Sequence, residues 1–412
     1  MKYFFISLVL ALSLFISFDA NEHPSKLIWS DMEGYYIYLP ATIIYGGFDS
    51  VKVVDKEYLR PFSDSNPKIY TKYTCGVAIL EAPFFLIAHV LSRPLGFESD
   101  GHSLIYSYSI MLSGLFYFWL GIFYIFKFLG RRFNNTVIVW SLASVALGTN
   151  LYYYTFFQPA MSHVYSFGLA SLLVYHSDTL LNEKNLRFSK VPLIAAVIGL
   201  MILIRPTNIV YFCYLFILAL SKNKIRQLFS REGLKWIIFS VSIILLMWVP
   251  QISYWYYISG DYIIWSYVNE SFIYLMEPKI FKVLFGAWNG WLLYSPMAII
   301  PILNLIYGSF KKNIEFLAVL ATLVISTYLF ASWWAWWFGG AFGHRCYVDF
   351  LPLLALPLAD LINKVKNRII FVVLILLMYY NIGLTYQYVV SSPWDGPNWG
   401  YIEVWAVIKN LF

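Results

Sequence analysis

Residues 191–220 read VPLIAAVIGLMILIRPTNIVYFCYLFILAL, an almost wholly apolar run in which Arg205 is the one charged residue. A helix needs about 20 apolar residues to cross a bilayer, so this run is long for one span and short for two. The dipeptide Arg205-Pro206 divides it, because proline interrupts helical hydrogen bonding and a charge at membrane depth is costly. The run therefore predicts either one long kinked helix or two short helices that meet at a membrane surface.

The composition of the whole chain also indicates a membrane protein. Of its 412 residues, 60% are hydrophobic and 12% are charged, and the mean hydropathy is +0.65. A soluble domain carries about 25% charged residues. Lipid offers backbone N–H and C=O groups no partners, so an apolar chain of this kind satisfies them within helices. We predict an all-α polytopic membrane protein.

The sequence does not support several other classes of function. The formal charge of +7 does not indicate nucleic-acid binding, because the Lys and Arg residues lie in short loops between apolar runs. The three cysteines show neither a paired nor a zinc-binding spacing. The sequence contains no Walker loop, GxSxG, HExxH or kinase signature, which argues against nucleotide-driven transport and serine hydrolysis.

Eleven apolar runs are long enough to form membrane spans. They cover residues 2–18, 103–127, 136–156, 161–181, 190–204, 206–220, 234–257, 292–308, 314–331, 345–362 and 369–389. The first run follows Lys2 and resembles a secretory signal, but no small-residue cleavage site comes after it. We therefore interpret residues 1–18 as an uncleaved first span.

The basic residues set the predicted topology. Seventeen of the 29 Lys and Arg residues fall in alternate short loops: Lys2, Lys127, Arg131, Arg132, Lys184, Arg187, Lys190, Lys222, Lys224, Arg226, Arg231, Lys235, Lys311, Lys312, Lys364, Lys366 and Arg368. Positive loops stay in the cytoplasm. This pattern holds if Arg205-Pro206 is a turn at the outer face and if the apolar stretch 74–92, with Glu81 and Pro83, lies on or dips into the outer interface without crossing.

The predicted organisation is one domain, residues 1–412, with the N-terminus inside and the C-terminus outside. Its parts are a first span (1–18), a first outer loop with interfacial helices (19–102), core spans (103–257), an outer loop (258–291), later spans (292–389) and an outer tail (390–412). Long loops carry function more often than short ones. We therefore expect the chemistry on the outer face.

The first outer loop contains the leading candidates for catalysis. Asp31 and Glu33 lie two residues apart at its start, and Tyr35 follows in an aromatic stretch. This pattern fits a solvated loop with an aromatic belt, and it fits a general base held beside a lipid-phosphate substrate. Lys72, later in the loop, fits either a phosphate-binding residue or a lysine that extends toward the membrane surface.

Candidates for substrate binding lie in the other predicted outer segments. Arg205 suits bidentate phosphate recognition, or it caps a structural kink. Arg345 follows His344 and a Gly-Gly bend at the end of a span, which predicts an anion site. The further candidates are His163, Asn269, Glu270 and Asn289.

The tryptophans of residues 333–337 leave two interpretations open. Four of these five residues are Trp. They fit an interfacial belt, and they also fit a surface that stacks on sugar rings.

An ordered set of motifs covers nearly the whole chain. They are SDMEGYYIYLPA (30–41), KYTCGVAILEAPFF (72–85), FFQPAMSHVYSF (156–167), RPTN (205–208), YVNESF (267–272), WNGWLLYSP (288–296) and FGHRCYVDFLP (342–352). Together they resemble the GT-C superfamily of membrane glycosyltransferases. The resemblance is strongest to bacterial proteins related to the dolichyl-phosphate-mannose protein mannosyltransferases (glycosyltransferase family 39) and to the aminoarabinose lipid A transferase.

The resemblance implies a GT-C-type bundle of about eleven transmembrane helices with in-plane helices in the first outer loop. It also implies an inverting hexosyl- or pentosyltransferase that moves a sugar from a polyprenyl-phosphate donor to a lipid, glycan or protein acceptor. It assigns the catalytic role to Asp31, with Glu33 as second candidate. It assigns binding of the donor phosphate to Lys72, Arg205 and Arg345. The usual K-Y-P-P-G motif is K-Y-T-C-G here, which changes the setting of Lys72.

The resemblance further implies a multi-pass protein of a bacterial inner membrane with its active site facing the periplasm or exterior. Some relatives use a divalent metal, so a requirement for a metal is left open.

Two other functions are left open too. One is an outer-face ligase or polymerase for diphosphate-linked glycans, which a long late outer loop would favour. The other is a transporter, which would show paired ionisable residues at the midplane and a repeat.

Overall fold

The computed structural model describes residues 2–21, 27–56, 58–63, 65–268, 270–365, 367–391, 394, 396 and 398–411. In chain order its α-helices are α1 (Lys2–Ala20), α2 (Ser30–Tyr36), α3 (Tyr38–Ile43), α4 (Gly76–Ser92), α5 (Leu104–Leu129), α6 (Asn135–Leu147), α7 (Leu151–Phe156), α8 (Ser162–Leu181), α9 (Val191–Ile204), α10 (Tyr211–Ser221), α11 (Ile225–Leu228), α12 (Arg231–Ser259), α13 (Ile280–Phe285), α14 (Trp291–Tyr294), α15 (Ile299–Phe310), α16 (Ile314–Ser332), α17 (Leu351–Lys364), α18 (Ile369–Ser391) and α19 (Tyr401–Lys409). A short antiparallel hairpin pairs β1 (Arg60–Ser63) with β2 (Asn66–Tyr70).

Each of the eleven apolar runs coincides with one or two of these helices, so the all-α polytopic prediction is confirmed. Within the described residues, five helices are long and apolar enough to cross a membrane by themselves. They span Leu104–Leu129, Arg231–Ser259, Ile314–Ser332, Arg345–Lys364 and Ile369–Ser391. The other six runs form helices that are shorter, broken or less apolar.

The run 191–220 forms two helices and not one kinked helix. Arg205 leaves the helical conformation, with φ −149° and ψ 117°, and a 3-10 turn follows at Pro206–Val210. The Asn208 side-chain amide donates a hydrogen bond to the carbonyl of Met201 at 2.9 Å. The same carbonyl also accepts the backbone N–H of Arg205 at 3.0 Å, so the Asn208 side chain links the 3-10 turn to the end of α9. The side of the membrane on which the break lies stays a prediction.

Helix α4, from the stretch 74–92, packs antiparallel along the first half of α5. The Tyr117 hydroxyl donates to the carbonyl of Leu80 at 3.4 Å, and a ring nitrogen of His89 lies 2.7 Å from the Tyr106 hydroxyl. Glu81 is buried in the bundle and not directed toward lipid. Whether α4 lies in the membrane plane stays a prediction.

The start of α4 also abuts the end of α9. A Cβ on Gly76 would lie 2.4 Å from backbone atoms of Leu203 and Ile204. The Thr74 hydroxyl donates to the carbonyl of Leu203 at 2.5 Å. These contacts attach the first loop to the chain break at Arg205.

Helix α8 lies at the centre of the bundle and packs against α5, α9 and α17. Gly168 permits the close approach to α5, because a Cβ there would lie 2.6 Å from the carbonyl oxygen of Tyr117. One end of α8 carries His163. The other end carries Asp178, which forms ion pairs with Arg131 and Arg132. The side chains of this central helix that contact charged partners on other segments are therefore at its two ends.

Replacement of Gly76 by alanine is expected to lower stability, because the new methyl group would overlap the backbone of α9. Such overpacking costs about 1–3 kcal/mol. Thermal unfolding in detergent micelles measures the effect. Gly199→Ala is the matched control, since the nearest atoms to a Cβ there belong to the Ile244 side chain, at 3.0 Å and beyond, and not to backbone. Equal melting temperatures for the two variants would contradict the packing described.

Candidate functional site

Three distant parts of the chain meet at one end of the bundle. They are the segment 27–73, the break between α9 and α10, and the 3-10 turn Arg345–Phe350 that leads into α17. Together with the connection between α12 and α13 they form what we call the charged cluster. Its members are Asp31, Lys72, Arg205, Glu270, Arg345 and Asp349.

Asp31 lies in the first turn of α2 and makes two interactions through its carboxylate. One oxygen lies 2.7 Å from the Arg345 guanidinium, and the other accepts a hydrogen bond from the Tyr58 hydroxyl. The Tyr58 hydroxyl is in turn hydrogen-bonded to that of Tyr73. Burial alone would raise the pKa of Asp31, but Arg345 and the tyrosine hydroxyls outweigh it and lower that pKa below its ordinary value. Asp31 is therefore an ionised carboxylate at neutral pH.

Gly34 accounts for the position of α2. A Cβ at this residue would lie 2.5 Å from the Tyr73 ring, so glycine allows the ring to pack directly against the helix. The Thr71 hydroxyl donates to the carbonyl of Gly34 at 2.7 Å. These contacts fix residues 71–73, and with them Lys72, beside Asp31.

Glu33 is completely buried and has a different environment from Asp31. Its two carboxylate oxygens accept hydrogen bonds from the backbone N–H groups of Val54 and Asp55 at 2.6 and 2.7 Å. Burial raises the pKa of Glu33 despite these two donors. The carboxylate thereby holds the segment that leads to Tyr58, and it makes no described contact with the cations of the charged cluster.

Lys72 lies beside a cavity of about 130 Å³ that is lined by Tyr58, Leu59, Tyr70, Thr71, Lys72 and Tyr73. Its ammonium forms an ion pair with Glu270 at 2.6 Å. The rings of Tyr58, Tyr73 and Tyr267 have their centroids 5.4–6.0 Å from the same ammonium. The cavity thus has one cationic wall and several aromatic walls.

Arg205 and His163 converge on Asp349, which lies in the motif FGHRCYVDFLP (342–352) and was not among the predicted site residues. The Asp349 carboxylate lies 3.1 Å from the Arg205 guanidinium and 2.8 Å from Nδ1 of His163. A second guanidinium nitrogen of Arg205 lies 2.9 Å from the sulfur of Cys346. An acidic residue inside the apolar run 345–362 was the available signal, because a charge at that depth needs a partner.

His344 and Asn289 hold the tryptophan-rich segment. The His344 ring is buried, and Nε2 lies 3.0 Å from the carbonyl oxygen of Trp336. The Asn289 amide donates to the carbonyls of Trp337 and Gly339 at 2.9 and 2.8 Å. Neither side chain lines the 130 Å³ cavity beside Lys72.

The side chain of Tyr35 extends from α2 toward the start of α8. Its ring centroid lies 4.3 Å from that of Tyr73, and its hydroxyl accepts a hydrogen bond from Ser162 at 3.2 Å. Burial, with a contribution from Asp31, raises the pKa of Tyr35 to about 12, so the hydroxyl stays protonated. Asn269 lies outside the described residues.

A metal site would require several His, Cys, Asp or Glu side chains close together. Within the part of the chain that the structure describes, no group of three or more such residues could hold a metal ion. The acidic members of the charged cluster instead neutralise basic ones.

Comparison with known proteins gives one structural relative. No protein-family profile matches the sequence, and no curated protein matches it. The fold is similar to that of ArnT from Cupriavidus metallidurans, whose crystal structure is of the apo state. The TM-score is 0.57 at 13% sequence identity, over 99% of this chain and 69% of the ArnT chain. ArnT is an aminoarabinose lipid A transferase of the GT-C type. The predicted GT-C fold class is thereby confirmed.

Glu33→Gln is expected to reduce stability, since one amide NH2 would face a backbone N–H that now donates to a carboxylate oxygen. A buried donor without its acceptor costs about 1–3 kcal/mol. Thermal unfolding of the purified protein measures the loss. Glu98→Gln, at an exposed position of the same loop, is the control. A melting temperature for Glu33→Gln equal to that of the control would contradict the anchoring role.

Proposed function

We propose that this protein is an inverting glycosyltransferase that acts at the outer face of the inner membrane. It moves a sugar from a polyprenyl-phosphate donor to a lipid, glycan or protein acceptor. The observation that carries this proposal is the ionised carboxylate of Asp31, buried between Arg345 and Tyr58 at a site that also holds Lys72. The GT-C fold that the chain shares with ArnT supports it.

Asp31 is the general base. Its carboxylate takes the proton of the acceptor hydroxyl or amine while the acceptor atom attacks the anomeric carbon of the sugar. The attack comes from the face opposite the phosphate, so the configuration at the anomeric carbon inverts. The bond between that carbon and the phosphate oxygen breaks, and both bonding electrons leave with the polyprenyl phosphate.

The cations of the charged cluster stabilise the departing phosphate. Lys72, Arg205 and Arg345 supply donors for charge-assisted hydrogen bonds to the oxygen on which negative charge develops. The leaving group is a phosphomonoester, so this step needs no metal in principle.

Other predicted substrate-binding residues receive narrower roles. Tyr35 is buried against Tyr73 and positions that ring, which lines the cavity beside Lys72. His163 positions Asp349 and Arg205, whereas Asn289 and His344 position the tryptophan-rich segment. Asn269 remains a prediction. These residues thus act indirectly, because they hold in place the side chains that contact the donor.

A multi-pass protein of the inner membrane fits this proposal. Ten basic residues lie in, or next in sequence to, the loops at the end of α8 that is opposite His163. They are Lys127, Arg131, Arg132, Lys184, Arg187, Lys190, Lys222, Lys224, Arg226 and Arg231. Basic loops remain in the cytoplasm. The charged cluster would then face the periplasm or exterior.

Asp31→Asn is expected to reduce sugar transfer by about 10²–10⁴-fold, the range for loss of a general base. The assay uses protein in liposomes, radiolabelled polyprenyl-phosphate sugars and a membrane extract as the source of acceptor. Asp49→Asn, exposed in the same loop, should retain transfer. Wild-type turnover of only a diphosphate-linked glycan would favour a ligase. Transfer that survives in Asp31→Asn but not in Glu33→Gln would overturn the assignment of the base.

The pH dependence of transfer should reflect the lowered pKa of Asp31. A base acts in its ionised form, so kcat/KM should stay level as pH falls from neutral to about 4, the ordinary range of a carboxyl group, and decline only below it. Arg345→Met removes the main group that opposes burial, and the acid limb should then move to higher pH. An acid limb near neutral pH in the wild type would contradict the role of Asp31.

A further inference from the structure

Every cation assigned to the donor phosphate already has a carboxylate partner. The pairs are Arg345 with Asp31 at 2.7 Å, Arg205 with Asp349 at 3.1 Å and Lys72 with Glu270 at 2.6 Å. A phosphate that binds here must therefore share these cations with the carboxylates or replace one of them. The three pairs differ in how firmly the carboxylate is held.

Two of the pairs are fixed by further contacts. Asp349 also pairs with His163, and only 1% of its side chain is exposed. Asp31 also accepts the hydrogen bond of Tyr58 and is anchored on α2. Removing either carboxylate from its cation would leave a buried charge unpaired, which costs several kcal/mol.

The pair between Lys72 and Glu270 is more open. The two side chains are 27% and 25% exposed. Among the described residues, Lys72 is the partner that the structure gives the Glu270 carboxylate. The neighbouring backbone is tethered, because the Ser266 hydroxyl donates to the carbonyl of Lys72 at 2.8 Å and the carbonyl of Ser271 accepts from the N–H of Trp334 at 3.0 Å. Glu270 can therefore leave Lys72 by rotation of its side chain alone.

We infer that Glu270 is a built-in competing anion. Its carboxylate occupies the Lys72 ammonium in the empty enzyme, and the phosphate of the polyprenyl-phosphate ligand displaces it. This inference rests on the proposed function. It also changes the expectation for Glu270, which its place in the outer loop 258–291 predicted to bind substrate.

The negative charge of the phosphate group increases during the reaction, and this affects its competition with Glu270. The donor phosphate is a diester with one negative charge, whereas the product is a monoester that carries about −1.5 to −2 at pH 7. Lys72 consequently holds the product more tightly than the donor. The Glu270 carboxylate returns to Lys72 as the product leaves, which lowers the affinity for the product and favours its release.

Equilibrium binding of radiolabelled polyprenyl phosphate to the protein in nanodiscs tests the inference without turnover. Glu270→Gln keeps the size of the side chain and removes its charge. It should bind about 1.5 to five times more tightly than the wild type, the range for loss of a partly exposed ion pair. The same ratio should appear as a lower inhibition constant for polyprenyl phosphate in the transfer assay.

Glu277→Gln is the matched control, because Glu277 lies in the same connection and its side chain is 84% exposed, 3.8 Å from Lys279. It should bind like the wild type. Lys72→Met should bind at least about tenfold more weakly, since a charge-assisted hydrogen bond is lost. In the Lys72→Met background, Glu270→Gln should have no further effect, because the two residues act on each other.

The possible outcomes separate the inference from the proposed function. Wild-type affinity in Glu270→Gln, together with weak binding by Lys72→Met, would overturn the competing-anion role and leave the proposed function intact. Weaker binding by Glu270→Gln would show that Glu270 contacts the ligand, which also overturns it. Absence of binding to the wild type would remove polyprenyl phosphate as the ligand, and with it both proposals.

Discussion

The ion pair between Asp31 and Arg345 is the contact on which the rest of the site depends. It joins the first loop to the turn before α17, more than 300 positions later in the chain. Both side chains are largely buried, and a charge removed from water is stable only with a partner. This requirement fixes the register of the first loop against the bundle. Tyr58, Tyr73 and Lys72 take their positions from that register.

A second consequence of burial is that the charges of the cluster are balanced. Three cations face three carboxylates, and each pair joins segments that are distant in sequence. A site of this kind is stable when empty and yet presents cations to an incoming anion. The differences in exposure among the pairs then decide which cation is accessible. Lys72 is the accessible cation, because its partner Glu270 is the least constrained of the three carboxylates.

Asp31 and Glu33 could not be told apart by sequence alone, and the structure separates them. The two acids are neighbours in one loop and have the same chemistry, so both were candidates for the base. The turn of α2 directs one toward Arg345 and the other toward two backbone N–H groups. Asp349 was missed for a related reason. Its partners Arg205 and His163 lie far from it in sequence, and only the packed helices bring the three together.

The sequence by itself determined the class of the fold and the apolar runs from which the long helices form. Apolar runs form helices because lipid satisfies no backbone groups, and this rule acts locally. It also determined the break at Arg205-Pro206, since proline acts on its own turn of helix. Only the tertiary structure decided which charges pair, which carboxylate is buried as an anchor and which stays in the cluster. Those outcomes depend on distances between segments far apart in the chain. Burial then makes the pairs of Asp31 with Arg345 and of Asp349 with Arg205 obligatory, whereas the pair of Glu270 with Lys72 is partly exposed and can open.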